Sequence, residues 1–199
     1  MTTITSRDKL IQVGAELIAE HGYTATGINT ILKQSGVPKG SFYHYFGSKE
    51  DFGLAVIESF ADAFDEQLAS TLRDTSQPPL SRLRHYFSSV KEEIARHECV
   101  RGCLIGNLGQ ELSSHSDILR DRLEKVFRGW EQNFIACLSD ARAAGEIDDS
   151  LDPETLGSFI LVGWEGAILR AKTARSVQPM EAFEAVLFKH VLTSPSQSV

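Results

Sequence analysis

The sequence predicts an all-α chain of 199 residues. Apolar residues recur three and four positions apart along almost the whole length, the period of a helix face. Alternating stretches of β-branched and aromatic residues bounded by turn residues, which would mark strands, are missing. Glycines, prolines and capping residues fall between the periodic segments, where helices start and stop.

The first helix begins after Thr5, whose spacing to Asp8 fits a capping box, carries Leu10, Gly14, Leu17 and Ile18, and stops at Gly22. The second starts near Thr26 with Ile28, Ile31 and Leu32 on one face and ends before Gly36, with "SGV" as a tight turn. The third opens at Pro38, tolerated in a first turn because its missing N–H would have no partner there, and runs about two turns to Phe46. Ser48 caps a long fourth helix, with Asp51 three residues on, that reaches about Arg73, where "RDTSQPP" supplies a polar break and two prolines. A fifth helix from Leu80 carries Leu83, Phe87, Val90 and Ile94. The glycine-punctuated "CVRGCLIGNLGQELSS" holds a short helix with irregular ends. A long helix from Ser116 to about Ala144 follows, with Leu119, Leu123, Val126, Phe127, Trp130, Phe134 and Leu138 in one stripe. Pro153 opens a helix bearing Leu156, Ile160, Trp164, Ala167 and Ala171, and Met180, Phe183, Val186, Leu187 and Val191 form a last one before the polar tail "SPSQSV".

Composition narrows the function. No apolar run approaches the length of about 18 residues that a membrane helix needs, and "MTTITSRDKL" lacks the apolar core of an export signal, so a cytoplasmic protein is expected. The three cysteines, Cys99, Cys103 and Cys137, are an odd number and read as reduced thiols. Enzyme signatures are lacking: there is no phosphate-binding glycine loop after a strand, no G-x-S-x-G elbow and no H-E-x-x-H helix. Glu111, His115 and Glu165 could do acid–base work, but nothing in the sequence places them together. "HECVRGC" offers no second ligand pair for structural zinc, and no metal or other cofactor is expected.

The net charge of −7 argues at first against nucleic acid. Its distribution does not. Residues 1–55 hold five basic and five acidic side chains, so the whole excess lies in the remainder, and no Asp or Glu occurs between His21 and Lys49. Lys33, Lys39 and Lys49 stand in or at the edge of that window, with His21 and His44 able to add charge.

A supporting helix followed by two short helices around a glycine turn is the outline of a helix-turn-helix. On a helix starting at Pro38, Phe42 and Phe46 point the same way, into a core with Leu17, Ile18 and Ile31, while Tyr43 and His44 lie off that face. The residues left outside suit a duplex. Lys39 can reach a guanine edge or a phosphate, Gly40 permits close approach, Ser41 can bond a base or a phosphate, and Tyr43 offers its hydroxyl to phosphate. Lys49 and the free N–H groups of the fourth helix form an anion site. A helical adaptor or small-molecule-binding protein that does not bind DNA is the alternative, which the acid-free window counts against.

The stretch "TGINTILKQSGVPKGSFYHYFGSKEDF" resembles the DNA-binding signature of TetR/AcrR-family transcriptional regulators, and the match covers residues 7–55. The resemblance implies DNA contacts from Thr26 and Gly27, from Lys39, Gly40, Ser41, Tyr43 and His44 on the recognition helix, and from Lys49. It further implies a DNA-binding domain over residues 1–48 and a helical effector-binding and dimerisation domain over 49–199. Homodimers pairing through residues 153–175 and 179–193, palindromic operators and repression released by a small molecule are the family's expected mode of action. Trp164 with Gly157, Gly163, Gly166, Ala167 and Ala171 would allow close helix approach across a dimer, or would pack within one chain.

Effector candidates lie between residues 80 and 175. Phe87, Phe127, Trp130, Phe134 and Trp164 line a pocket or fill the core. "RHECVRGCLIGNLGQELS" resembles the corresponding part of the NemR and AcuR group of TetR-type repressors. That implies either a cysteine that responds to electrophiles or oxidants, mapping onto Cys103, or a small unsaturated acid as effector. The cation of Arg101 two residues away would favour the Cys103 thiolate, whereas a buried Cys103 would be a plain apolar residue.

Overall fold

The computed structural model describes residues 5–193, so the polar tail SPSQSV lies outside them. Among the described residues the chain is all helical, as expected: α1 (Ser6–His21), α2 (Ile28–Ser35), α3 (Lys39–Tyr45), α4 (Lys49–Ser70), α5 (Pro79–Arg96), α6 (Leu104–Leu112), α7 (Asp117–Ala143), α8 (Pro153–Ala174) and α9 (Gln178–Val186). No helix among them is long and apolar enough to cross a membrane.

The ends follow from local chemistry. Thr5 and Asp8 form the reciprocal capping box of α1. Gly36, at φ +66°, takes the left-handed conformation that ends α2 and donates its N–H to the Leu32 carbonyl. The fourth helix stops at Ser70, short of Arg73, because the Thr71 hydroxyl takes the Gln67 carbonyl at 2.6 Å and the Arg73 amide takes that of Leu68. Asp152 caps α8 through the Thr155 amide at 3.0 Å. The last helix is not one regular element: α9 passes into a π-helical turn over Leu187–Val191, closed by the Leu192 amide on the Leu187 carbonyl five residues back. Apolar spacing alone does not distinguish that turn from a continued α-helix.

Packing divides the chain into two compact units, one comprising the residues up to Ala63 with Cys103–Val126, the other Phe64–Gly102 with the residues from Phe127 onward. Two of the three divisions fall inside long helices, α4 and α7, and the third in the loop between α5 and α6.

The first unit is built on three phenylalanines. Phe42, Phe46 and Phe52 lie ring to ring at 5.1–5.4 Å among buried Leu10, Leu17, Ile18 and Ile31. A Cβ at Gly14 would sit 2.3 Å from the Phe52 ring, so α1 and α4 approach over a glycine. The first part of α7 is latched to α4 by Ser116 on Glu50 and by the two-pronged ion pair of Arg122 with Glu58. The hydrogen bond from Arg122 is the main reason the Glu58 carboxyl stays below its ordinary pKa.

The second unit has an aromatic core centred on Phe87, whose ring meets Trp164 at 4.5 Å and Phe183 at 6.0 Å. Buried Arg82 bonds the Leu72 carbonyl at 3.1 Å and Asp140 at 2.8 Å. The small residues of α8 serve mostly this unit. Added Cβ atoms at Gly157 and Gly163 would meet Ile135 at 2.5 Å and Phe183 at 2.3 Å, and Trp164, Ala167 and Ala171 are buried in the same chain. Only Gly166 of the set opens onto empty space, on the face that exposes Phe159, Val162 and Leu169.

Candidate nucleic-acid interface

The candidate reading surface is made by α2, the Gly36 turn and α3. Burial of Phe42 and Phe46 fixes the rotation of α3 and thereby turns Lys39, Gly40, Tyr43 and His44 outward, with Tyr43 53% exposed. Ser41 is half-buried, and Gly27 is the exposed N-cap of α2. A Cβ at Gly40 would meet nothing within 4 Å. Tyr45 is 39% exposed and rests edge-on against His44 at 5.1 Å, and Asn29, Thr30 and Lys33 line the outer side of α2; none of these belonged to the set expected to touch DNA.

Two expected residues are placed differently from the rest. Thr26 is 2% exposed, and its hydroxyl donates to the Gly22 carbonyl at 2.6 Å, so the side chain closes the α1–α2 turn and is kept from the surface. Lys49 is half-buried, with Nζ donating to the carbonyls of Tyr23 at 2.7 Å and Thr24 at 3.3 Å and lying 4.5 Å above the Tyr23 ring. Burial lowers its pKa against the opposing pull of Glu111. The Tyr23 hydroxyl answers by donating to the Lys49 carbonyl at 2.8 Å, and burial first, then Glu50 and Glu111, pushes that phenol up to about 12.

The acid-free window is therefore not acid-free in space. From α6, the Glu111 carboxylate accepts the Tyr23 amide at 2.8 Å and the Thr24 amide at 2.6 Å. Desolvation opposes its charge, but these hydrogen bonds and Lys49 outweigh it and leave the carboxyl below its ordinary pKa. A depressed carboxylate contributes fully above the ordinary glutamate value and is lost only as pH falls through the lower, folded one. At neutral pH the contact is intact. From the sequence alone Glu111 is no more than one of three residues that could do acid–base work.

The effector candidates separate into two groups. Phe87, Phe134 and Trp164 are each at most 1% exposed, Trp130 is 5% exposed and Phe127 half-buried, and all five lie in the second unit. Phe127 meets Trp130 at 5.6 Å, and Phe134 stacks on Phe87 at 6.4 Å. The Trp164 Nε1–H is buried without a hydrogen-bond partner. Cys103 belongs to the first unit, where it is half-buried and is the N-cap of α6, its Sγ accepting the Gly106 amide at 3.4 Å. Cys99 and Cys137 are buried, and burial pushes the Cys137 thiol up to about 11. Among the described residues no group of three or more His, Cys, Asp or Glu side chains is arranged to hold a metal.

Comparison with known proteins agrees with this geometry. The family model described as bacterial regulatory proteins of the tetR family matches residues 10–56, which include α2 and α3, and the tetracyclin repressor-like C-terminal domain model matches residues 79–187. The transcriptional regulator AcuR of Cereibacter sphaeroides is 42% identical over 94% of this chain and 86% of its own length. The transcriptional repressor DhaR of Mycobacterium sp. (strain GP1) is 38% identical over 94% and 93%. The crystal structure of reduced Escherichia coli NemR superposes with a TM-score of 0.88 at 31% identity, over 96% of this chain and 98% of that one. These relatives are named as regulators and repressors rather than as enzymes, and the match through residues 10–56 sets aside a helical adaptor that does not bind DNA. With both its reading head and its C-terminal part accounted for, the chain belongs to the TetR family of DNA-binding transcriptional regulators.

Proposed function

We propose that this protein acts in the cytoplasm as a homodimeric repressor that grips a palindromic operator through two copies of α3 and lets go when an effector binds or Cys103 is modified. Residues 1–48 then do the reading, and residues 49–199 the sensing and dimerisation. The observation that carries the reading is the outward face of α3, where Lys39, Gly40, Tyr43 and His44 are exposed on a helix without an acidic residue. The face of α8 that exposes Phe159, Val162 and Leu169 around Gly166 is the apolar surface a second copy would cover.

The test is binding to the duplex upstream of the protein's own gene, followed by fluorescence anisotropy over a series of salt concentrations. Affinity should fall steeply with salt. Tyr43→Ala should weaken binding about five- to tenfold on every sequence, as loss of a phosphate hydrogen bond does. Lys39→Ala should relax sequence preference as well, by about 1–3 kcal/mol at the base it reads. Lys49→Ala should also weaken binding, and the salt slope says why: a lost phosphate contact makes it shallower by about one unit, whereas a lost tie to the α1–α2 turn leaves it unchanged. Unaltered affinity in all three variants would remove the assigned surface.

For release, Cys103 is the thiol to test first. It is the least buried of the three, and a helix N-terminus favours its thiolate. An adduct on Sγ would also displace the cap of α6. At neutral pH, N-ethylmaleimide should label one thiol per chain, and Cys103→Ser should abolish the labelling. Loss of operator binding in wild type but not in Cys103→Ser makes Cys103 the switch. Equal behaviour of the two proteins assigns release to a reversible ligand. A small unsaturated acid suits the second unit, because its carboxylate would accept the unpartnered Trp164 N–H.

A further inference from the structure

The six residues from Gly22 to Gly27 join α1 to α2, and the main-chain polar groups at their tightest point are each held. Gly22 donates to the Ile18 carbonyl at 2.9 Å, and its own carbonyl receives the Thr26 hydroxyl. The carbonyls of Tyr23 and Thr24 take Lys49 of α4, and the two amides take the carboxylate of Glu111 of α6. One side chain thus holds the acceptors of the turn and another its donors, from two different helices. The carboxylate fits because residue 22 is glycine: at φ +85° a side chain would be strained, and its Cβ would lie 3.1 Å from Oε2.

We infer that Glu111 is a positioning residue for DNA binding, which sets the direction in which α2 and α3 leave the turn. The inference rests on the reading of this protein as an operator-binding regulator. Glu111 is in the last turn of a nine-residue helix whose other end is capped by Cys103.

Charge alone predicts the opposite sign. A carboxylate beside a phosphate-binding surface repels DNA, so a merely electrostatic Glu111 would weaken binding, and neutralising it would tighten the complex. A positioning Glu111 strengthens binding despite its charge. Glu111→Gln decides between them, since it keeps the size, removes the charge and turns one of the two acceptors into a donor facing an amide N–H.

The experiment compares wild type, Glu111→Gln and Glu111→Ala on the operator duplex over a salt series, with thermal unfolding of each protein and amide hydrogen exchange of the DNA-free proteins. The inference expects affinity to drop about tenfold or more in both variants, with an unchanged salt slope. It also expects faster exchange at Tyr23 and Thr24 while buried Leu10 and Ile31 in α1 and α2 keep their protection. Tighter or equal binding by a folded Glu111→Gln overturns it, as does unchanged exchange at the two turn amides. Should Glu111→Ala be unfolded at the assay temperature, Glu111→Gln and the exchange data decide alone. Wild-type binding reports separately on the functional reading: a wild type that does not select its duplex removes that reading, while the variant exchange pattern still reports whether Glu111 holds the turn.

Discussion

Phe42→Ala is expected to abolish operator binding without removing a single atom that faces DNA. Phe42 is fully buried between Phe46 and Phe52, and truncating such a ring costs about 3–5 kcal/mol. The consequence is severe because α3 has only seven residues, far too few to be helical on its own. Its helicity is lent by the ring cluster, and so is the rotation that presents Lys39 and Tyr43. Chemical denaturation followed by circular dichroism should show the loss in the reading unit, and anisotropy on the operator should show no binding at concentrations that saturate wild type. Tyr43→Ala provides the contrast, with weakened binding and an unfolding curve within about 0.5 kcal/mol of wild type, as for an exposed site. An unfolding midpoint for Phe42→Ala equal to that of wild type would mean that the three rings do not hold the unit together.

Trp164→Ala should be the most damaging change in the second unit, again by about 3–5 kcal/mol. The indole is 1% exposed, lies against Phe87 and Phe183, and occupies the face of α8 turned toward its own chain. Trp164→Phe is the informative partner. It keeps an aromatic ring in the cluster and deletes the unpartnered N–H, whose burial costs about 1–3 kcal/mol. The two effects oppose each other, so Trp164→Phe should lie within about 1.5 kcal/mol of wild type. A much larger loss would show that the N–H has a partner in solution. If the effector uses that N–H as proposed, Trp164→Phe will remain on its operator at effector concentrations that release wild type.

Local chemistry was the legible part of this protein. Thr5 with Asp8, Gly36, Ser48 and Pro153 mark helix ends through bonds that span only a few residues, and the structure has those ends within a residue or two. The inward turn of Phe42 and Phe46 was equally readable, since a four-residue spacing fixes their common face whatever lies opposite. What stayed hidden depends on distant partners. Gly157 and Gly163 look the same whether a neighbouring helix belongs to this chain or to a second copy, and contact with Ile135 and Phe183 identifies them as packing within the chain. Lys49 reads as a phosphate ligand because it closes the stretch without acid, and nothing near it in sequence announces the two carbonyls it holds. Glu111 was the least legible of all, 87 residues from the amide of Thr24. A residue pattern without acid between 22 and 48 could suggest a surface cleared for phosphate, but not that a carboxylate returns to it from another helix.

The empty space around Gly40 sets thermal tolerance against regulation. An alanine there would collide with nothing in the free protein, and helix propensity would favour it by roughly 0.5–1 kcal/mol. The methyl would nevertheless stand on the outward side of α3, the face proposed to meet DNA. A screen for heat resistance, or a lineage moving into a hotter habitat, would therefore gain a sturdier protein at this position while, on the proposed reading, loosening its hold on DNA. The chain would survive the change, and the circuit it belongs to would leak.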